Sequence, residues 1–108
     1  MTEKTKEFKG HTLYRIQAVK DFGEVKKGDL GGWIESEKNL SQDDDSWVGG
    51  ETMVFDNGLV SGDAKVFDTA QVFDNAIVTD FGFVNGCAEI CGDAIVTFYS
   101  EFMVFRSN

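Results

Sequence analysis

From Val48 onward, valine or isoleucine returns at every sixth residue: Val48, Val54, Val60, Val66, Val72, Val78, Val84, Ile90 and Val96. Four residues after each stands a small side chain: Thr52, Gly58, Ala64, Ala70, Ala76, Gly82, Ala88, Ala94 and Ser100. The position two after the valine belongs to turn formers, namely Gly50, Asp56, Gly62, Asp68, Asp74, Asp80, Gly86 and Gly92. An α-helix would scatter a period of six around its circumference rather than bury it on one side. A meander of hairpins needs longer strands between its turns. A repeating short strand plus corner fits a solenoid, in which each unit stacks on an equivalent one in the next coil.

The stretch "AKVFDTAQVFDNAIV", Ala64 to Val78, shows the division of labour inside a unit. Strand alternation sends Ala64 and Val66 to one side, and Lys65 and Phe67 to the other. Asp68 and Thr69 then turn the chain, because Asp, Asn and Gly tolerate tight or left-handed backbone geometry. The valines and the small residues therefore face a narrow core, and the Phe residues face outward.

The units read V-x-[GD]-[ND]-A-x, and they follow the opening "LYRIQAVKDFGEVKKGDLGGWIESEKNLS", Leu13 to Ser41. Together these resemble the hexapeptide-repeat left-handed parallel β-helix, in particular small phage and bacterial repeat proteins. The resemblance implies an all-β fold in which three hexapeptides make one triangular coil. It then implies three regular coils and three inward ladders: Val48, Val66 and Val84; Val54, Val72 and Ile90; Val60, Val78 and Val96. Ile34 and Leu40, also six apart, begin an earlier irregular coil, and "SQDDDSWV" breaks the register like an insertion at a corner. The expected organisation is an N-terminal cap with an irregular first coil over 1–46, repeats over 47–101, and a C-terminal cap or tail over 102–108. Gly28, Gly31 and Gly32 are expected to turn the chain in the N-terminal cap. At the other end, Phe98 replaces a turn residue, and Phe102, Val104 and Phe105 are expected to close the hydrophobic end, with a terminal-to-terminal dimer as the alternative.

Outward columns supply candidate contact surfaces. Phe55 and Phe73 share one face with Met53 and Gln71, and Cys91 follows in the Phe column. Leu59, Ile77 and Ile95 line a second face beside Ser61, Thr79 and Thr97. Contiguous exposed apolar area marks partner surfaces, so the expected homo-oligomer interface comprises Met53, Phe55, Phe73, Leu59, Ile77, Ile95, Phe102 and Phe105. The rival arrangement has "TLYRIQAV" fold back as a strand, with Phe8, Phe22 and Trp33 as covering side chains.

Charge narrows the partners. The net charge is -9. Residues 1–38 hold eight Lys/Arg against seven Asp/Glu, whereas residues 39–108 hold two against twelve. The repeat region is thus strongly acidic, which disfavours phosphate binding and direct nucleic-acid contact. A basic protein partner is electrostatically acceptable. The phage-like resemblance implies an inhibitor of a host nucleic-acid-handling defence protein, of the anti-CRISPR kind. Candidate partner contacts are Asp43, Asp44 and Asp45 before the repeat, Asp56 and Asp74 on one corner, and Asp63 and Asp80 on another. A self-assembling structural protein and an acyltransferase-like enzyme are the alternatives.

The chemistry-bearing residues are few. His11 is the one histidine and lies outside the repeats, and no partner for it follows from the sequence. Cys87 and Cys91 fall at different places in a unit, so neither a zinc site nor a disulfide framework is expected. "DDD" lacks an EF-hand pattern, and "GDLGG" lacks the phosphate-loop lysine. No apolar run approaches a membrane span, and "MTEKTKEFKG" lacks the apolar section of a signal peptide. The expectation is a non-enzymatic, cytoplasmic interaction module (host cytoplasm if viral) without metal or cofactor.

Overall fold

Each hexapeptide becomes a strand of two or three residues followed by a corner. The computed structural model describes residues 4–22, 25–41, 45–97, 99–101 and 104–105. Strands β1 (Thr5–Phe8), β2 (His11–Gln17) and β3 (Leu30–Ile34) precede the repeat, with a 3-10 turn at Glu37–Asn39. The repeat supplies β4 (Trp47–Val48), β5 (Met53–Val54), β6 (Leu59–Val60), β7 (Lys65–Val66), β8 (Gln71–Val72) and β9 (Ile77–Val78). It continues as β10 (Phe83–Asn85), β11 (Glu89–Ile90) and β12 (Ile95–Val96), followed by β13 (Tyr99–Glu101) and β14 (Val104–Phe105).

The strands stack into three walls with the orders β4-β7-β10-β13, β6-β9-β12 and β3-β5-β8-β11-β14. Pairing within the walls is parallel, and the register step through the regular coils is eighteen residues: Val48 opposite Val66, Val54 opposite Val72, Val60 opposite Val78. Backbone N–H groups bond to the carbonyl one residue before the register partner, as in Trp47 N–H to Ala64 O at 3.0 Å and Met53 N–H to Ala70 O at 3.1 Å. The chain is an all-β solenoid of about three turns, as the repeat implies. Every ladder valine from Val48 to Val84, and Ile90, is fully buried. Each such side chain stabilises the fold by about 1.5–3 kcal/mol.

The corners explain the choice of turn residues. Gly50, Asp56, Gly62, Asp68, Asp74, Asp80, Gly86 and Gly92 all adopt positive φ, between 54° and 69°. Asp and Gly reach this left-handed region at low steric cost. The aspartates also work between coils: Asp68 Oδ2 accepts the Gly86 N–H at 2.9 Å, and Asp74 Oδ2 accepts the Gly92 N–H at 3.0 Å.

Both ends depart from the eighteen-residue step. Ile34 pairs with Val54 and Leu40 bridges Val60, each twenty residues on, so an earlier coil exists and carries two extra residues before Val48. At the far end Val84 faces Ser100 and Ile90 faces Phe105, steps of sixteen and fifteen. Ser100 therefore leaves the small-residue column in which its spacing had placed it. Gly31 and Gly32 also differ from expectation. They lie inside β3 rather than in a turn, where a Cβ would stand 2.5 Å from the carbonyl oxygens of Val48 and Thr52 respectively. Their small size lets β3 seat directly on the first regular coil.

β1 and β2 form an antiparallel hairpin that continues the third wall through β3. Alternation sends Ile16 toward the solenoid core and Leu13 to the outer side. There Leu13 packs with Trp33, Met53 and Phe55, against the partly buried Phe8 and Phe73. Met53 and Phe55, expected at an oligomer interface, are only 8% and 4% exposed within this one chain. The hairpin reaches them first, because β-pairing with β3 lays its side chains over the same wall. Phe22 packs instead on Trp47, with ring centroids 5.6 Å apart. Cys91 is buried, Cys87 is exposed, and neither is in a disulfide among the described residues. No helix among the described residues is long and apolar enough to cross a membrane.

Candidate functional site

Three segments far apart in sequence meet at one corner. The hairpin turn at Lys9 and Gly10, both at positive φ, places His11 at the start of β2. Antiparallel pairing then brings β2 beside the end of β3, where Glu35 follows Ile34. Parallel pairing of β3 with β5 brings Glu35 beside Asp56, the corner residue after Val54 and Phe55. His11 Nδ1 lies 2.8 Å from Glu35 Oε2, and His11 Nε2 lies 3.3 Å from Asp56 Oδ1. Glu35 Oε1 accepts the Asp56 N–H at 2.8 Å. The imidazole rests on Phe55, with ring centroids 4.8 Å apart.

Asn39 holds the two carboxylate-bearing segments together. It is fully buried. Its Oδ1 accepts the N–H groups of Glu35 at 3.1 Å and Ser36 at 2.8 Å. Its Nδ2 donates to the carbonyls of Asp56 at 3.2 Å and Gly58 at 2.8 Å. A buried amide with all its bonds made rigidifies its surroundings.

Electrostatics follow from these contacts. The hydrogen bond to Glu35 raises the His11 pKa above its ordinary 6.5. Desolvation opposes that shift, and the negative charges of Glu35 and Asp56 support it. The hydrogen bond from His11 lowers Glu35 below its ordinary 4.5. An ionised carboxylate can only accept, so Nδ1 carries the proton of the His11–Glu35 bond. When the ring is neutral its lone pair is therefore on Nε2, facing Asp56. The side chains of His11, Glu35 and Asp56 are 24%, 33% and 35% exposed, so solvent and solutes reach them.

An open groove of about 780 Å³ leads away from this cluster along the corner column. Glu35, Asp56, Asp74 and Asp93 border it with Lys38, Asn57 and Asn75. A polar ladder runs along it: Lys38 Nζ donates to Asn57 Oδ1 at 3.3 Å, Asn57 to Asn75 at 3.1 Å, and Asn75 to Asp93 at 3.4 Å.

The residues singled out from sequence are spread over the molecule. Asp56 is in the cluster, and Asp74 is one coil further along the groove. Asp45 and Asp63 are brought together elsewhere, their carbonyls accepting from Lys65 Nζ at 2.6 and 3.1 Å. Asp80 shares the Asp63 corner, its carbonyl accepting the Asp63 N–H at 2.8 Å. Asp43, Asp44, Phe98 and Phe102 lie outside the described residues, and Phe105 is described only as backbone in β14. Phe73 is half-buried and stacked on Phe55, with ring centroids 5.1 Å apart and planes within 2° of parallel. Leu59, Ile77 and Ile95 stand opposite one another on a second wall, and Ile95 is 64% exposed.

Sequence reasoning left His11 without a partner and passed over Glu35 and Asn39. The signal for Glu35 was present. With Ile34 in the valine phase, Glu35 takes the outward position of the Phe55, Phe73 and Cys91 column. His11, Glu35 and Asp56 each present a donor atom within 4.8 Å of the other two.

No family model matches the chain. The chain is 32% identical over 59 residues to a protein of Escherichia coli (strain K12) named uncharacterized acetyltransferase YdcK. The match covers 54% of this chain and 18% of that protein, so the chain spans less than a fifth of its relative's length. This similarity, together with the His11–Glu35–Asp56 cluster, overturns the expectation of a chain without catalytic apparatus. A lone histidine in a cap carries little chemistry, but one held between two carboxylates beside a groove is equipped for proton transfer.

Proposed function

We propose that the chain is an acyltransferase-like β-helix module in which His11 serves as the general base. The observation that carries this reading is the orientation of His11, with Nδ1 bound to Glu35 and Nε2 facing the corner from which the groove departs. In the proposed reaction Nε2 takes the proton of an acceptor hydroxyl or amine. The acceptor atom attacks the carbonyl carbon of an acetyl thioester, the C–S bond breaks, and the imidazolium returns the proton to the leaving thiolate. Glu35 orients the ring throughout, and Asp56 stabilises the imidazolium. Similarity to a protein named as an acetyltransferase supports the choice of acyl group.

The test is acetyl transfer from acetyl-coenzyme A to a panel of amines and sugar hydroxyls. Products should be read by mass spectrometry, because the exposed Cys87 would react with thiol reagents. Wild-type turnover with at least a hundredfold loss in His11→Ala supports the reading. Equal rates for the two proteins, or no transfer to any acceptor, sink it.

A second reading is an acidic docking surface for a basic protein, as a phage-type inhibitor would use. It is supported by Asp56, Asp74 and Asp93 bordering one groove, where Lys38 is the one cationic side chain among the described lining residues. A salt-sensitive stoichiometric partner from bacterial lysate, released by Asp74→Lys, would favour it. Measuring mass in solution alongside decides whether the Leu59, Ile77 and Ile95 face joins two copies instead.

A further inference from the structure

We propose that His11 and Asp56, steadied by Glu35, bind a divalent transition-metal cation of the Zn2+ type. The separation of His11 Nε2 from Asp56 Oδ1 is 3.3 Å. That is longer than the roughly 2.7–2.9 Å of a charge-assisted hydrogen bond. It matches two donors on one tetrahedral ion, since ligand distances of about 2.0–2.1 Å put neighbouring donors about 3.3 Å apart. Glu35 completes the arrangement from behind. Its carboxylate accepts the hydrogen bond of Nδ1–H at 2.8 Å, which fixes the ring and leaves the Nε2 lone pair for a ligand bond. A donor atom from each of the three residues lies within 4.8 Å of the others, so the Glu35 carboxylate also places a negative charge close to the ion.

The surroundings suit an ion as well. Asp56 is held at its left-handed corner with φ of 54°, and its N–H is bound by Glu35. Asn39 ties the backbones of both residues together. The donors are therefore positioned before any ion arrives. The side chains remain 24–35% exposed, which leaves room for water to fill the other coordination positions. A nitrogen donor with carboxylate oxygens favours Zn2+ or Co2+ over Mg2+, which prefers oxygen and retains its own waters. Neither cysteine belongs to the cluster. The inference stands on this geometry and does not require the acyl-transfer reading. If both hold, an ion on Nε2 removes the base, and the metal inhibits turnover.

The experiment is titration of the whole chain with ZnCl2 in a non-coordinating buffer, followed by calorimetry and by imidazole NMR signals. The chain has one histidine, so these signals report His11 in the wild-type protein without any substitution. One ion per chain, a shift localised at Nε2, and no competition from hundredfold Mg2+ are expected. His11→Gln and Asp56→Asn should each weaken binding at least tenfold, whereas Cys87→Ser and Asp74→Asn should not. Circular dichroism confirms that each variant is folded, and the wild-type NMR arm stands even where one is not. Unmoved imidazole signals at millimolar Zn2+, or binding that disappears in Cys87→Ser, overturn the proposal. Zn2+ binding without acetyl transfer would leave the metal site standing and remove the enzyme reading. Transfer without Zn2+ binding would do the reverse.

Discussion

Glu35 and Asp56 are twenty-one residues apart, and Glu35 Oε1 accepts the Asp56 backbone N–H at 2.8 Å. That bond replaces a coil-to-coil contact that the aspartates supply elsewhere, where Asp68 and Asp74 bind the N–H groups of Gly86 and Gly92. Glu35 performs the same service from the first coil, and its longer side chain leaves Oε2 free for His11. The corner device of the solenoid thus doubles as the anchor of the site.

The His11–Glu35 pair makes stability depend on pH in a defined window. His11 has a raised folded pKa, so its contribution is complete below about 6.5 and fades as pH rises through the raised value. Glu35 has a lowered folded pKa, so its contribution is complete above about 4.5 and fades as pH falls through the lowered value. The melting-temperature difference between wild type and His11→Gln should therefore be largest between pH 4.5 and 6.5. A difference that stays constant from pH 4 to pH 9 would show that the pair is energetically silent.

Asn39→Ala removes four hydrogen bonds from a fully buried position and strands the backbone groups that they satisfied. A loss of about 2–4 kcal/mol is expected. Urea unfolding measures it. Asn39→Asp keeps the two accepted bonds and loses both donated ones, so it should also be destabilised. A wild-type midpoint in either variant contradicts the clamp.

Phe55→Ala should cost about 3–5 kcal/mol, because the ring is buried among Phe8, His11 and Phe73. Phe73→Ala should cost less, since that ring is half-buried. If Phe55 served an interface instead, its replacement would change mass in solution and leave the monomer's melting temperature unmoved.

Corner geometry gives a sharper contrast at Asp68, where φ is 69°. Asp68→Val forces a β-branched residue into the left-handed region and also loses the bond to Gly86. About 2 kcal/mol of destabilisation is expected. Asp68→Gly loses the bond but relaxes the backbone, so it should fall within about 1 kcal/mol of wild type. Thermal melts of the two variants separate backbone strain from hydrogen bonding, and equal effects would refute the assignment.

The solenoid was legible because each of its rules is local. Strand alternation decides that Val66 points inward and Phe67 outward, and steric limits on φ decide that Asp or Gly stands at each corner. Repetition then turns a local rule into a global register. The ends were less legible, because "SQDDDSWV" and "TFYSEFMVF" depart from the period and their steps of twenty, sixteen and fifteen appear only once the coils stack.

The sequence by itself determined the inward ladders, the left-handed corners and the acidic surface of the repeats, since these depend on residue type and a six-residue spacing. Only the tertiary structure decided that Phe55 is covered and that His11 has partners. Both depend on one pairing, the β1–β2 hairpin laid antiparallel against β3, whose register is a long-range choice with no periodic signal. That pairing carries His11 to Glu35, which the parallel pairing of β3 with β5 has set beside Asp56, and so makes a lone histidine, an outward glutamate and a turn aspartate into one chemical group.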